Sequence, residues 1–321
     1  MPIPTGTAAI SFSQIRTEMN GGSGGAFPSA ATPTAPQGTA MPLNNATFRS
    51  RLTDTTTGNP ISLSSLRGNA YQRFTIAADY NTTYDIRTAL VNTGWTTTSK
   101  GSADVVVNGG IYVSSSSTGA YGMDTGGPWP GPSTIVVYNN GFILGMGGAG
   151  GNGGEDDFNN AQPGNAGGPA LRAQRAMTLV NSGTIGGGGG GGGGGDGTTG
   201  VTPLNPPFSP LPFNNGGGGG GGGRTGRTNS AGGLPGPADG PNANPGGSGQ
   251  QGTITAAGNG GPGAGTAGSG GTGGNWGTAG NNGGIGNAPV ARAGGAAGIS
   301  VQGWSAVTVP TTGTILGPTS P

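Results

Sequence analysis

Apolar residues along this chain come in short bursts separated by glycine, proline and small polar residues, and one arrangement of bursts recurs. Ile135-Val-Val-Tyr-Asn-Asn-Gly-Phe-Ile-Leu-Gly145 is echoed by Met177-Thr-Leu-Val-Asn-Ser-Gly-Thr-Ile-Gly186 and, more loosely, by Ala306-Val-Thr-Val-Pro-Thr-Thr-Gly-Thr-Ile-Leu-Gly317. In each copy a β-branched or apolar run meets a turn ending in Gly, and a second apolar run follows. Asn-Gly and Ser-Gly supply the positive φ of tight turns, so the pattern predicts short β-hairpins. The third copy has Thr where the others have Asn. Val105-Val-Val and Ile111-Tyr-Val add strand character. Tyr84-Asp-Ile-Arg-Thr-Ala-Leu-Val-Asn-Thr-Gly94 instead places Ile86, Ala89 and Leu90 at helical spacing and ends on Asn92 and Gly94, a C-cap pair, with Trp95 packing beside the helix. Residues 71–145 therefore read as a small α+β or β domain.

The first 70 residues are patterned differently. Ile10-Ser-Phe-Ser-Gln-Ile-Arg16 and Ile61-Ser-Leu-Ser-Ser-Leu-Arg67 are near-repeats, with Ser13 or Ser64 placed as an N-cap. Between them, residues 21–42 are rich in Gly, Ser, Pro, Thr and Ala and read as an extended linker. This segment has too little apolar content to fold alone, which predicts that it docks onto another protein through Ile10, Phe12, Ile15, Ile61, Leu63 and Leu66.

From residue 146 to 321 glycine dominates, with uninterrupted runs at 186–195 and 216–223. A flexible tether is the ordinary reading of such runs. Here it would leave the strand-turn units on either side without packing partners. The alternative is a bundle of polyglycine-II helices, with three residues per turn and about 3.1 Å rise per residue, packed closely enough for interchain N–H···O and Cα–H···O contacts. The expected fold is thus a small α+β or β N-terminal region followed by a glycine-rich polyglycine-II helix bundle with short β-hairpins.

Composition narrows the function. Of 321 residues, 79 are Gly and 26 Pro, only 7% are charged and the net charge is +1, so the chain is neither a polyelectrolyte nor an oily globule. Eleven arginines and the single Lys100 are scattered among eleven acids, leaving no phosphate-tracking stripe for nucleic acid. There is no cysteine and no histidine, which removes disulfides, thiolate chemistry, the usual general base and the commonest metal ligand. No Gly-Lys-Ser/Thr follows a glycine run, so nucleotide binding is set aside. Glu155-Asp156-Asp157 matches no calcium-loop spacing and reads as a solvated acidic loop. Ser99, Lys100 and Ser102 lie in one loop and do not converge on a substrate. No eighteen-residue apolar run and no export signal occur. The expectation is a soluble protein that is not an enzyme and carries no metal or cofactor.

Several segments carry a resemblance. Residues 61–68 resemble an N-terminal segment of tailed-phage tail proteins. Tyr84-Asp-Ile-Arg-Thr-Ala-Leu-Val-Asn-Thr-Gly-Trp95, Asn139-Asn-Gly-Phe-Ile-Leu-Gly-Met-Gly-Gly148, residues 170–186 running into polyglycine, and the closing residues 294–318 are similar to the body of glycine-rich phage receptor-recognition proteins. The resemblance implies a virion protein of the phage tail, assembled in the host cytoplasm. It also implies an N-terminal attachment domain followed by a polyglycine-II sandwich whose distal loops contact the receptor. The implied partners are other phage tail proteins and a bacterial outer-surface receptor, an outer-membrane protein or lipopolysaccharide. A purely structural tail-tip or decoration protein is the alternative.

Residues 201–215 join the two longest glycine runs, and their prolines stiffen them. Leu204, Phe208, Leu211 and Phe213 either face a receptor or cap the open ends of the glycine helices, and the sequence leaves both open. Trp276 is a similar candidate, expected to share one patch with the 204–213 segment. Arg224 and Arg227 are candidates for acidic sugars or phosphates of lipopolysaccharide.

Overall fold

The computed structural model describes residues 70–95, 101–131, 133–155, 161–202, 211–240, 242–287 and 292–321. The segment before residue 70, with Ile10, Phe12, Ile15, Ile61, Leu63 and Leu66, lies outside the described residues, as do Lys100, Asp156, Asp157, Leu204 and Phe208.

The strands form three sheets with parallel pairing. One contains β1 (Ala70–Ile76), β3 (Gly101–Val107), β6 (Thr134–Asn139), β9 (Met177–Asn181) and β14 (Val307–Thr311), in that order. The second contains β4 (Tyr112–Ser114), β7 (Phe142–Leu144), β10 (Thr184–Gly186) and β15 (Thr314–Leu316). The third contains β2 (Tyr84–Asp85), β5 (Met123–Asp124), β8 (Leu171–Arg172), β13 (Val301–Gln302) and β16 (Thr319–Ser320). The chain visits the three sheets in turn and then repeats the circuit, which makes this part a three-sided parallel β-solenoid whose circuits stack as rungs.

Its core consists of matched ladders. Val105, Val137 and Leu179 are in register along the first sheet, Val113, Ile143 and Ile185 along the second, and Met123, Leu171 and Val301 along the third. All nine are fully buried. At one corner α1 (Ile86–Val91) is capped by Asp85, whose carboxylate accepts from Thr88 N at 2.5 Å. It buries Ile86 and Leu90, and Trp95 packs against Trp129 with ring centroids 5.4 Å apart.

This architecture corrects the expected fold. Among the described residues the secondary structure is mostly parallel strands with one six-residue helix, not an α+β domain followed by a helical bundle. The repeated units are not hairpins either. In each unit the two strands belong to different sheets, and each pairs with the equivalent strand of the next copy: Ile143 with Ile185, and Ile185 with Ile315. The turn residues serve this stacking. Gly141 and Gly183 do not have positive φ. A Cβ on Gly183 would instead lie 2.1 Å from Gly141 O. Buried Asn139 donates to Asn181 Oδ1 at 2.8 Å, and Asn181 donates to Thr314 O at 3.3 Å, forming a polar ladder beside the turns. A single unit shows turn chemistry; only the repetition shows that the partners lie between copies.

Candidate functional site

The glycine-rich segments leave the solenoid at one corner, between the second and third sheets. There β7 reaches β8 through residues 145–170 and β10 reaches β13 through residues 187–300, whereas β4 reaches β5 through the short link 115–122. These insertions are extended segments held by lateral bonds. Along residues 187–196 every third amide goes to the same neighbour. Gly188, Gly191 and Gly194 donate to Gly168, Asn165 and Gln162; Gly189, Gly192 and Gly195 to Arg224, Gly221 and Gly218; Gly190, Gly193 and Asp196 to Thr278, Asn281 and Gly284. Carbonyls of the same run accept from three further segments, through Gly148, Gly274 and Gly295 among others. The run is buried throughout, with neighbouring backbone on every side.

The segments alternate in direction, so their connections gather at two opposite ends. At the end next to the solenoid are the turns after Arg224, at Thr253–Ala256 and at Asn275–Thr278. Trp276 is 8% exposed, its Nε1 donates to Thr225 O at 2.9 Å, and its ring is 6.1 Å from Phe142, which stacks on Tyr112 at 4.4 Å. Arg224 lies 3.6 Å over the Trp276 ring and donates to Ile254 O; burial lowers its pKa, with Tyr112 opposing. Arg227 pairs with Asp79 at 3.2 Å.

The far end carries a different set. Antiparallel β11 (Thr198–Thr202) and β12 (Leu211–Asn215) rise from it as a hairpin. Phe213 is half-buried, and its ring covers Gly200, where a Cβ would meet Phe213 Cζ at 2.5 Å. Asn214 and Asp239 exchange backbone bonds at 2.6 and 3.1 Å, and Asn215 Oδ1 accepts from Asn244 N at 3.1 Å. Thr266 Oγ1 reaches Thr198 Oγ1, and Asn287 Nδ2 reaches Thr199 O, each at 3.4 Å. Val201 is 65% exposed, and Asp239, Asn242, Thr266, Ile285 and Asn287 are exposed at the same end. Beneath the hairpin, Asp196 is fully buried 3.4 Å from Arg292; burial raises its pKa against the pull of Arg292.

The candidates taken from sequence are therefore divided between two ends. Phe213 and the backbone of Leu211 belong to the far hairpin, whereas Trp276, Arg224 and Arg227 lie at the solenoid junction. The expected single patch joining Phe213 to Trp276 does not form, because the turn at Asn275–Thr278 is of the opposite parity in the alternation. Trp276 is a packing residue. Trp276→Ala is expected to cost about 3–5 kcal/mol, read as a lowered midpoint in chemical unfolding. Sequence reasoning passed over exposed Asp239, Asn242 and Asn244, although Asp239-Gly-Pro-Asn-Ala-Asn244 is a cluster of turn formers between glycine segments.

The sequence model of the family described as phage tail fibre adhesin Gp38 matches residues 72–320. No curated protein matches the chain. A solved structure, the gp37-gp38 adhesin tip complex of the bacteriophage S16 long tail fiber, has the same fold at 24% identity and a TM-score of 0.53, over 85% of this chain and 91% of that chain.

Proposed function

The chain belongs to the phage tail fibre adhesin Gp38 family, and we propose that it binds a receptor on the bacterial surface through the end of the glycine-rich layer remote from the solenoid. The observation that carries this reading is the convergence at that end of the β11–β12 hairpin, the 239–244 turn, Thr266 and Asn287, which are far apart in sequence and cross-linked by hydrogen bonds. A stiff platform presenting exposed Val201 and half-buried Phe213 loses little entropy on binding. Polar neighbours dominated by Asn and Thr suit hydrogen bonding to an outer-membrane protein or a sugar chain. Arginine recognition of lipopolysaccharide phosphate has less support, since Arg224 and Arg227 are engaged at the opposite end. On this reading the opposite, solenoid end is left for other tail proteins; the similar solved structure is a gp37-gp38 adhesin tip complex of a long tail fiber.

Purified full-length protein is expected to occupy host receptors and slow adsorption of the corresponding phage in proportion to its concentration. Adsorption unchanged at saturating protein would favour a purely structural tail-tip role.

A further inference from the structure

We infer that the second near-repeat, Ile61-Ser-Leu-Ser-Ser-Leu-Arg67, lies across the outer face of the first sheet, as a cover that the chain supplies to its own solenoid.

That face is buried where the outside of a solenoid should be wet. In β3, Ala103, Val105 and Val107 belong to the core, so Ser102, Asp104 and Val106 point outward. In β6 the outward set includes Tyr138, in register with Val106. Ser102, Asp104, Val106 and Tyr138 are only 1%, 2%, 6% and 8% exposed. Arg73, in register with Asp104 on the neighbouring strand, has its Nε buried as well. Flanking strands cover the sides of an outward side chain and leave its tip in water, so a carboxylate and a serine buried beside Val106 and Tyr138 require a layer above them.

This burial occurs within a single chain, so the layer belongs to the chain. The glycine-rich insertions leave by the opposite corner, between the second and third sheets. Residues 96–100, which lead into β3, are Thr-Thr-Thr-Ser-Lys and bring no apolar group to lie on Val106 and Tyr138. The segment before β1 does bring such groups, in Ile61, Leu63 and Leu66, and Gly68 and Asn69 are turn formers placed to reverse the chain where β1 begins. Two strand spacings, about 10 Å, separate β1 from β6. Residues 61–69 can span up to about 30 Å, enough to reach Tyr138 and beyond. Next to Tyr138 a groove of about 370 Å³ continues over Thr134, Val136, Thr178 and Thr308, which gives a bulky side chain at the far end of the segment a seat.

The two near-repeats then differ in role. The second is part of the solenoid, whereas the first, on the other side of the 21–42 linker, takes no part in the cover.

The test uses the full chain. It has no cysteine, so Val106→Cys installs a single thiol under the cover. Labelling of that thiol by a water-soluble maleimide is expected to be slow. It should quicken roughly tenfold or more when Leu63→Ser and Leu66→Ser are added, while amide exchange at core Leu179 stays slow. Phe12→Ser with Ile15→Ser is expected to leave the labelling rate unaltered. Fast labelling in Val106→Cys alone, or labelling that stays slow after the changes at Leu63 and Leu66, would overturn the assignment. Release by the changes at Phe12 and Ile15 instead would also overturn it, and would give the cover to the first near-repeat. If any of these variants fails to fold, Overhauser contacts in the unchanged protein between the methyl groups of Leu63 or Leu66 and those of Val106 or Val136 decide: they are expected, and their absence would contradict the cover.

Discussion

Gly190→Ala is expected to unfold the glycine-rich layer, although alanine adds one carbon and is the better residue in most extended or helical backbones. A Cβ at Gly190 would lie 1.9 Å from Gly295 O and 2.6 Å from Gly295 C. These are main-chain atoms of a segment that itself bonds to the same run, since Gly295 N donates to Gly191 O at 2.7 Å. No rotamer change relieves the overlap. Moving residues 292–299 aside would break their bonds to residues 162–168 and 280–283 as well. The destabilisation should be about 4 kcal/mol or more, beyond what ordinary overpacking produces. Gly119→Ala provides the contrast, because a Cβ there meets nothing within 4 Å and the φ is not positive. It is expected to change stability by no more than about 0.5 kcal/mol. Chemical unfolding of the two variants beside the parent, with amide exchange over residues 186–196, separates the outcomes. Equal stability and unaltered exchange in Gly190→Ala would mean that the segments are not packed as described.

The same dependence explains how much could be read from sequence. The repeat of Ile143, Ile185 and Ile315 was visible, because a ladder needs the same residue type at the same place in each rung. Helix α1 lies inside the expected span, since its Asp85 cap and its apolar spacing are local signals. The solenoid was not visible, because strand pairing between copies leaves no local mark, and Asn-Gly or Ser-Gly suits a hairpin as well as a corner. Glycine runs are silent in another way. Without side chains they carry no periodicity, so neither the order of the segments nor the end at which a turn falls can be read from them. Trp276 was misplaced for that reason: an aromatic residue flanked by glycine resembles a displayed side chain until the alternation of segments puts it against Phe142. Membership of an adhesin family was legible through residues 84–95, 139–148 and 170–186, all within the matched span 72–320.

The second large effect is expected at the far hairpin. Thr202 and Leu211 are the last paired residues of β11 and β12. An Asn-Gly loop of two residues can close an antiparallel pair, so residues 203–210 can be replaced by Asn-Gly without disturbing the register of Gly200 with Phe213. The layer beneath should be unaffected, because Asn214, Asn215, Thr198 and Thr199 keep their bonds to the neighbouring turns. The deletion removes Leu204 and Phe208 together. Losing a central apolar cluster of a binding surface typically costs 2 kcal/mol or more, so adsorption should weaken about 100-fold, equivalent to roughly 2.7 kcal/mol.

The most direct measurement is the adsorption rate to host cells of phage carrying the shortened hairpin, with the amount of the protein per particle determined on the same preparation. Particles with a normal complement of the protein that adsorb about 100-fold more slowly are the predicted result; particles with that complement that adsorb at the parental rate would contradict the assignment of receptor binding to this end of the molecule.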